Sequence, residues 1–157
     1  MNATGLGIGT QRISRLLHQT VVRLSAQHRS PGARILVVDD NAMMRRTLRN
    51  LLESQNHWKV CDEASDGREA VEKFDREKFD VVVLDFQMPE MNGLDAAKQI
   101  TSRSPSTPIL MVTLHYSPQL ADEARKVGIR GLCAKADIAC VVEGVTTILD
   151  DKSYFRN

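Results

Sequence analysis

The stretch VVVLD at residues 81–85 joins four consecutive apolar side chains directly to an aspartate. Three further apolar runs follow the same plan, with helix-length segments between them, and they lead into Asp39-Asp40, Thr113 and Lys135. Unbroken apolar runs of this length are typical of parallel strands that are buried on both faces. The pattern therefore predicts an α/β fold in which helices cover both sides of a parallel sheet.

Helix start signals between the apolar runs complete the predicted topology. From residue 34 onward, strands and helices alternate five times, with a second strand near residues 58–64. Right-handed crossovers then produce a flavodoxin-like (βα)5 three-layer sandwich with a five-stranded parallel sheet. The residues expected at or just before the five helix starts are Asn41, Asp66, Asn92, Ser117 and Asp137.

The charge distribution divides the chain into a basic leader and a mildly acidic body. Residues 1–38 contain five arginines and no acidic residue, whereas the whole chain has a net charge of only +1. We predict a basic N-terminal extension at residues 1–32, helical at 11–27, then one domain at 33–150 and a tail at 151–157. The extension could bind a partner or an anionic membrane, pack on the body or on a second copy, or be inert.

Composition argues against several functional classes. The three cysteines are an odd number without CxxC spacing, which is typical of reduced thiols rather than of a disulfide or metal site. No apolar stretch approaches the roughly 20 residues of a transmembrane segment, and the first residues lack the features of a secretory signal. The body has no basic stripe, so there is no strong signal for DNA binding. A cytoplasmic location is expected.

Charged side chains are expected to meet at one edge of the sheet, because ligands of such folds lie beyond the carboxyl ends of the strands. This edge would hold the carboxylates of Asp39, Asp40 and Asp85. Like charges this close cannot all remain ionised without a cation. Oxygen ligands accompanied by several waters suit Mg²⁺, and we therefore predict a magnesium site.

The same edge would offer the groups that phosphoryl chemistry requires. Once a cation offsets the charge, one carboxylate can attack phosphorus and become an acyl phosphate. The hydroxyl of Thr113 can donate to the phosphoryl oxygens, and the ammonium of Lys135 can offset their charge. A helix-capping role could explain any one of these acidic residues. It does not explain why acidic, hydroxyl and ammonium groups occur together at the strand ends.

Four segments carry a resemblance to a known family: VVDD at 37–40, LDFQMPEMNG at 84–93, TL at 113–114 and LCAKAD at 132–137. In order and spacing they resemble the receiver domain of two-component response regulators, over about residues 34–150. AKAD is similar to receivers of the nitrate-regulator type, yet no DNA-binding domain is expected after residue 157. The chain is therefore expected to be a single-domain regulator, like the chemotaxis regulators.

The resemblance implies a role for each acidic residue at the predicted edge. Asp85 would be the phosphoacceptor and would also belong to the metal site. Asp40 would bind Mg²⁺ directly, and Asp39 would bind it mainly through water. The backbone carbonyl of Gln87 would be a further ligand.

The resemblance also implies the partners of the chain. A sensor histidine kinase or a histidine phosphotransfer protein would supply the phosphoryl group. Thr113 would swing towards this group, and Lys135 would pair with it. The signal would pass to a downstream protein through the surface formed by the fourth helix, the fifth strand and the fifth helix, and homodimer formation stays open. Beyond self-directed phosphotransfer and autodephosphorylation, no enzyme activity is expected.

Departures from the family pattern leave two alternatives open. Leu132 stands where receivers usually carry an aromatic switch residue, and Leu114 is bulkier than the usual residue after the threonine. Both features motivate the first alternative, a module that binds partners without phosphorylation. A haloacid-dehalogenase-like phosphatase would share Asp, Thr, Lys and Mg²⁺, but it needs an acid/base aspartate two residues after the nucleophile, where this chain has Gln87.

Overall fold

Strands and helices alternate along the whole described part of the chain. The computed structural model describes residues 32–55 and 57–156. The strands are β1 (Arg34–Val38), β2 (Lys59–Ala64), β3 (Val81–Asp85), β4 (Ile109–Thr113), β5 (Gly131–Ala134) and β6 (Tyr154–Arg156). The helices are α1 (Ala42–Glu53), α2 (Gly67–Arg76), α3 (Gly93–Arg103), α4 (Pro118–Val127) and α5 (Ala139–Leu149).

All strands join one parallel sheet in the order β2-β1-β3-β4-β5-β6. The strand order reverses at β1, which lies between β2 and β3. The carboxyl ends of β1, β3, β4 and β5 therefore lie next to one another, at the point where sheets of this kind bind ligands. The predicted flavodoxin-like sandwich is confirmed.

The sheet has one strand more than the five that the sequence analysis predicts. Residues 154–156, assigned there to a tail at 151–157, form β6, which pairs in parallel with β5. The short apolar pair Tyr154-Phe155 is flanked by Ser153 and Arg156, so it lacks the long apolar run that marks a central strand. It is an edge strand that pairs with β5 and contacts α5 through Tyr154.

Two apolar clusters fill the spaces on the two faces of the sheet. Alternating side chains of β1 belong to different clusters, Ile35 to one and Leu36 to the other. One cluster lies beneath α2, α3 and α4, and the other beneath α1 and α5. Every residue of β3 is buried, as expected for a central strand covered on both faces.

Polar side chains begin four of the five helices in the described residues, at the positions that the sequence indicates. The side chains of Asn41, Asp66, Asn92 and Ser117 each accept hydrogen bonds from backbone N–H groups of the first turn. The prediction for the last helix needs correction, because α5 begins at Ala139, after Ile138, which forms no side-chain cap. Asp137 instead lies in the turn between β5 and α5, where its N–H donates to the carbonyl of Ala134.

Two further expectations concern the N-terminal extension and membrane-spanning segments. The basic extension at residues 1–32, predicted to be helical at 11–27, lies outside the described residues except for residue 32. Among the described residues, no helix is both long enough and apolar enough to cross a membrane.

The loop between β3 and α3 holds the end of β3 in a tightly constrained geometry. Gly93 approaches β3 so closely that a Cβ at this position would overlap the backbone carbonyl of Asp85. Its N–H donates to the carbonyl of Phe86 at 2.9 Å. Earlier in the loop, Met91 N–H donates to the Pro89 carbonyl at 2.8 Å, and this tight turn holds Glu90 at a φ of 63°.

We predict that Glu90→Gly raises the free energy of unfolding by about 0.5–1 kcal/mol. A left-handed backbone costs an ordinary residue roughly 1–2 kcal/mol, and glycine removes that cost at a smaller entropic penalty. Urea denaturation measures the change. The matched control is Glu123→Gly at an exposed position in α4, which should lower stability by about 1 kcal/mol. A loss of stability in Glu90→Gly would show that the turn is not strained.

Candidate functional site

Four strand ends carry the side chains of the candidate site. Asp39 directly follows β1, Asp85 is the last residue of β3, and Thr113 is the last residue of β4. Lys135 directly follows β5. Because β3 and β4 are neighbours in register, with Asp85 beside Val112, the polar residues emerge at the same level of the sheet.

The ammonium of Lys135 lies between two buried carboxylates. Its Nζ is 2.7 Å from Asp39 Oδ2 and 2.9 Å from Asp85 Oδ2. The lysine side chain is only 7% exposed, Asp39 is fully buried and Asp85 is 3% exposed. One cation therefore balances two carboxylates that come from different strands, in surroundings where an unpaired charge would be very unfavourable.

Burial and these ion pairs change the acid–base properties of the cluster. Burial raises the pKa of Asp85 above its ordinary value, and the lysine beside it offsets only part of this effect. For Lys135, burial by itself would lower the pKa, but the two carboxylates outweigh burial and raise it. The lysine therefore stays charged at neutral pH and acts as a fixed positive charge beside Asp85.

Local hydrogen bonds orient the carboxylates. Asp85 Oδ1 accepts from the backbone N–H of Gln87 at 3.2 Å, and Asp39 Oδ1 accepts from that of Asn41 at 2.9 Å. Each carboxylate thus has one oxygen held by the following loop and the other directed to Lys135. Asp39 Oδ2 is buried, and the ion pair with Lys135 Nζ holds it in place.

The donor set of this cluster fits a hard divalent cation. Asp39, Asp40 and Asp85 each offer a carboxylate oxygen, and the three oxygens lie within 4.8 Å of one another. Asp40 is exposed, which leaves room for the water molecules that Mg²⁺ usually retains. With three carboxylates and one ammonium, the cluster keeps an excess of negative charge that such an ion would offset.

Thr113 occupies a buried position at the same edge. Its hydroxyl oxygen accepts from the backbone N–H of His115 at 3.1 Å, and its carbonyl accepts from the N–H of Lys135 at 2.7 Å. The threonine and the lysine are thus coupled directly through the backbone. The hydroxyl proton stays available to a ligand oxygen, because the contact with His115 uses only a lone pair.

The sequence matches the family described as the response regulator receiver domain over residues 35–145. This range includes all the strand-end residues described above. The chain belongs to the receiver domain family. Over 104 residues it is 39% identical to the chemotaxis protein CheY of Thermotoga maritima, a match that covers 66% of this chain and 86% of that protein.

Solved structures support the same assignment. A two-component response regulator of the LuxR family from Aurantimonas sp. SI85-9A1 has a TM-score of 0.76 and 31% identity, over 78% of this chain and 89% of that one. The receiver domain of the putative response regulator NarL from Mycobacterium tuberculosis has a TM-score of 0.73 and 26% identity, over 78% and 100% of the two chains. This receiver domain thus resembles both the chemotaxis and the nitrate-regulator types, as the sequence suggested.

Some relatives are much longer than this receiver domain. The protein-glutamate methylesterase of Pyrococcus horikoshii is 46% identical over 80 residues, but the match spans only 22% of that protein. The likeness to such relatives therefore concerns the receiver domain alone.

The structure brings together most of the residues that the sequence analysis selects. Asp39, Asp40, Asp85 and Lys135 form one cluster. Leu132 is fully buried in β5, where it pairs with Met111 of β4 rather than lining the cluster. Metal binding and phosphorylation by these residues remain predictions.

Sequence reasoning missed one structural requirement of the site, the left-handed conformation of Glu90. Nothing in the sequence distinguishes Glu90 from other exposed glutamates. Gly93, which must lack a side chain so that α3 can approach the end of β3, lies in the MNG segment that carries the family resemblance.

We predict that Lys135→Met lowers the free energy of unfolding by about 3–5 kcal/mol at neutral pH in a chelator, because Asp39 and Asp85 lose their shared cation. The loss should shrink as the pH falls. Without the ammonium, the raised pKa of Asp85 rises further, so the folded state takes up a proton more readily than the unfolded state and the repulsion disappears. Urea denaturation across a pH series measures this.

The matched control for this prediction is Lys126→Met on the exposed side of α4, which should change stability by less than about 0.5 kcal/mol. Adding Mg²⁺ should restore more stability to Lys135→Met than it gives to the wild type, since a bound cation replaces the missing charge. Equal losses in the two lysine variants would contradict the proposed electrostatic role.

Proposed function

We propose that this receiver domain accepts a phosphoryl group on Asp85 from a phosphohistidine of a sensor histidine kinase or of a histidine phosphotransfer protein. A carboxylate oxygen of Asp85 forms the new bond to phosphorus while the bond between phosphorus and the histidine nitrogen breaks. The imidazole leaves with the electron pair and takes up a proton. The observation that carries the proposal is the position of Asp85 Oδ2, 2.9 Å from the buried ammonium of Lys135.

The surrounding residues stabilise the charge that this transfer moves. Phosphorylation converts the carboxylate into an acyl phosphate with additional negative oxygens, and Lys135 is already held beside them as a permanent cation. Thr113 donates its hydroxyl proton to a phosphoryl oxygen. Since its carbonyl accepts from the N–H of Lys135, a shift of the threonine is passed directly to the end of β5.

The cluster of three carboxylates supports a role for Mg²⁺ in the same reaction. We assign Asp40 as a direct ligand, Asp39 as one acting mainly through water, and Asp85 and the Gln87 carbonyl as the remaining protein ligands. A bound Mg²⁺ would supply positive charge that offsets the carboxylates and the phosphoryl oxygens. The exposure of Asp40 leaves this position open to solvent and to the donor.

Signalling then depends on partners that read the phosphorylated state. The proposal includes a cytoplasmic location. A downstream protein contacts the surface formed by α4, β5 and α5. A second copy of the chain could make the same contact and form a homodimer. Apart from phosphotransfer to itself and loss of its own phosphoryl group, the domain catalyses no reaction. The family assignment and Gln87 argue against a haloacid-dehalogenase-like phosphatase, which needs an acid/base aspartate at that position.

We predict that Mg²⁺ and acetyl phosphate together add one phosphoryl group to the wild-type chain, and that Asp85→Asn abolishes the addition. Asparagine has nearly the same shape as aspartate but no nucleophilic carboxylate. Intact mass spectrometry before and after base treatment, which hydrolyses acyl phosphates, measures the result. Chelation of Mg²⁺ should also abolish the reaction, because the acidic cluster then repels the donor.

The matched control is Asp122→Asn, an exposed carboxylate on α4 that pairs with Arg125 and should leave phosphorylation unchanged. An unmodified wild type with both Mg²⁺ and donor present would refute the proposal, as would full modification of Asp85→Asn. Multiple turnover on small phosphomonoesters would favour a phosphatase instead. Equal affinity of a partner for Asp85→Asn and for the phosphorylated chain would favour a module that binds without phosphorylation.

A further inference from the structure

The edge of β5 is covered by a short strand of the same chain. In β6, Tyr154 pairs with Gly131, Phe155 with Leu132 and Arg156 with Cys133. The N–H of Tyr154 donates to the carbonyl of Arg130 at 2.9 Å. Strand β6 therefore lies along β5, in the surface of α4, β5 and α5 that we propose contacts a downstream protein.

Gly144 leaves a slot for the ring of Tyr154, and Gly131 leaves room for the backbone carbonyl oxygen of the same residue. A Cβ at Gly144 would lie 3.0 Å from Tyr154 Cδ1, and a Cβ at Gly131 would lie 3.0 Å from the Tyr154 carbonyl oxygen. Both would also crowd Leu110 Cδ1, at 2.9 and 2.7 Å respectively. Tyr154 is 9% exposed, and its hydroxyl donates to Glu143 Oε2 at 2.9 Å. The slot thus selects an aromatic ring with a polar end.

The next two residues contact the two helices that border β5. The guanidinium of Arg125 on α4 lies 4.0 Å from the ring centre of Phe155. Arg156 lies 2.6 Å from Glu143 on α5. The three residues of β6 therefore use β5, α4 and α5 together, which is the set of contacts that a bound peptide strand would make.

The attachment of β6 to the rest of the domain is small. The strand has three residues, and the turn that precedes it, residues 150–153, is exposed throughout. Asp151 in this turn has a φ of 59°. Exposed ion pairs and cation–π contacts such as those of Arg156 and Arg125 contribute little each, so the attachment of β6 depends mainly on the buried ring of Tyr154 and on the pairing with β5.

We propose that the edge of β5 is a strand-docking site whose own occupant is residues 151–156, and that a partner binds there by displacing β6. The chemistry of the site defines that partner as an extended peptide segment. It must place a tyrosine-like ring in the slot over Gly144, a second aromatic side chain beneath Arg125, and a cation beside Glu143. The docking itself does not depend on phosphorylation, whereas its meaning for signalling rests on the proposed function.

The first experiment separates the strand from its site. A variant that ends at Asp150 is mixed with a fluorescent peptide of residues 151–157, DKSYFRN, and fluorescence anisotropy measures binding. The truncated variant should bind the peptide at least about tenfold more tightly than the full chain, in which β6 competes from within the same molecule. The matched control peptide, with Tyr154→Ala, should not bind, because it leaves the slot empty.

The second experiment uses the full chain and keeps the test decisive where the truncated variant does not fold. Hydrogen exchange of the segment 150–156 should be faster than that of β4, and an excess of the native peptide should make the chain's own segment exchange faster still. The full-length double variant Tyr154→Ala/Phe155→Ala should gain peptide binding. Asp85→Asn should leave all these results unchanged, so a failure of phosphorylation would not be confused with a failure of docking.

Three results would overturn the proposal. The first is equal peptide affinity of the full chain and of a folded truncated variant. The second is equal binding of the native and the Tyr154→Ala peptides. The third is exchange of residues 150–156 as slow as that of β4, which would make β6 an integral part of the core.

Discussion

The ammonium of Lys135 between the carboxylates of Asp39 and Asp85 is the interaction on which the organisation of this domain depends. Two adjacent buried carboxylates are tolerable only with a cation, and a buried lysine is tolerable only with anions. The three residues lie at the ends of β1, β3 and β5, so the contact requires these strands to end at the same level of the sheet. The phosphoryl transfer that we propose for Asp85 uses this same arrangement of charges.

Strand β5 belongs to both of the proposed functional regions of the domain. At its end Lys135 reaches the carboxylates, and along its outer edge it carries β6. Leu132 lies between these regions, paired with Met111 on one side and Phe155 on the other. The family usually has an aromatic side chain at this position, whereas here the aromatic ring belongs to the neighbouring strand. Strand β5 therefore joins the residue that pairs with Asp39 and Asp85 to the edge where β6 pairs.

Local features of the sequence predicted the local features of the fold. Asn41, Asp66, Asn92 and Ser117 cap helices because each needs only its own side chain and the next few N–H groups. The last helix was placed two residues too early, because Asp137 resembles a cap but lies in a turn. The left-handed Glu90 was not predictable, since its conformation is imposed by the turn that joins β3 to α3.

The sequence alone determined the central strands, the helices and the set of acidic, hydroxyl and ammonium groups at the strand ends, because an apolar run followed by a polar residue is a local pattern. Only the tertiary structure decided that Lys135 pairs with both Asp39 and Asp85, and that residues 154–156 complete the sheet. These contacts join distant parts of the chain. Their geometry depends on the closeness of helix packing, including the space left by Gly131 and Gly144, which no local pattern specifies.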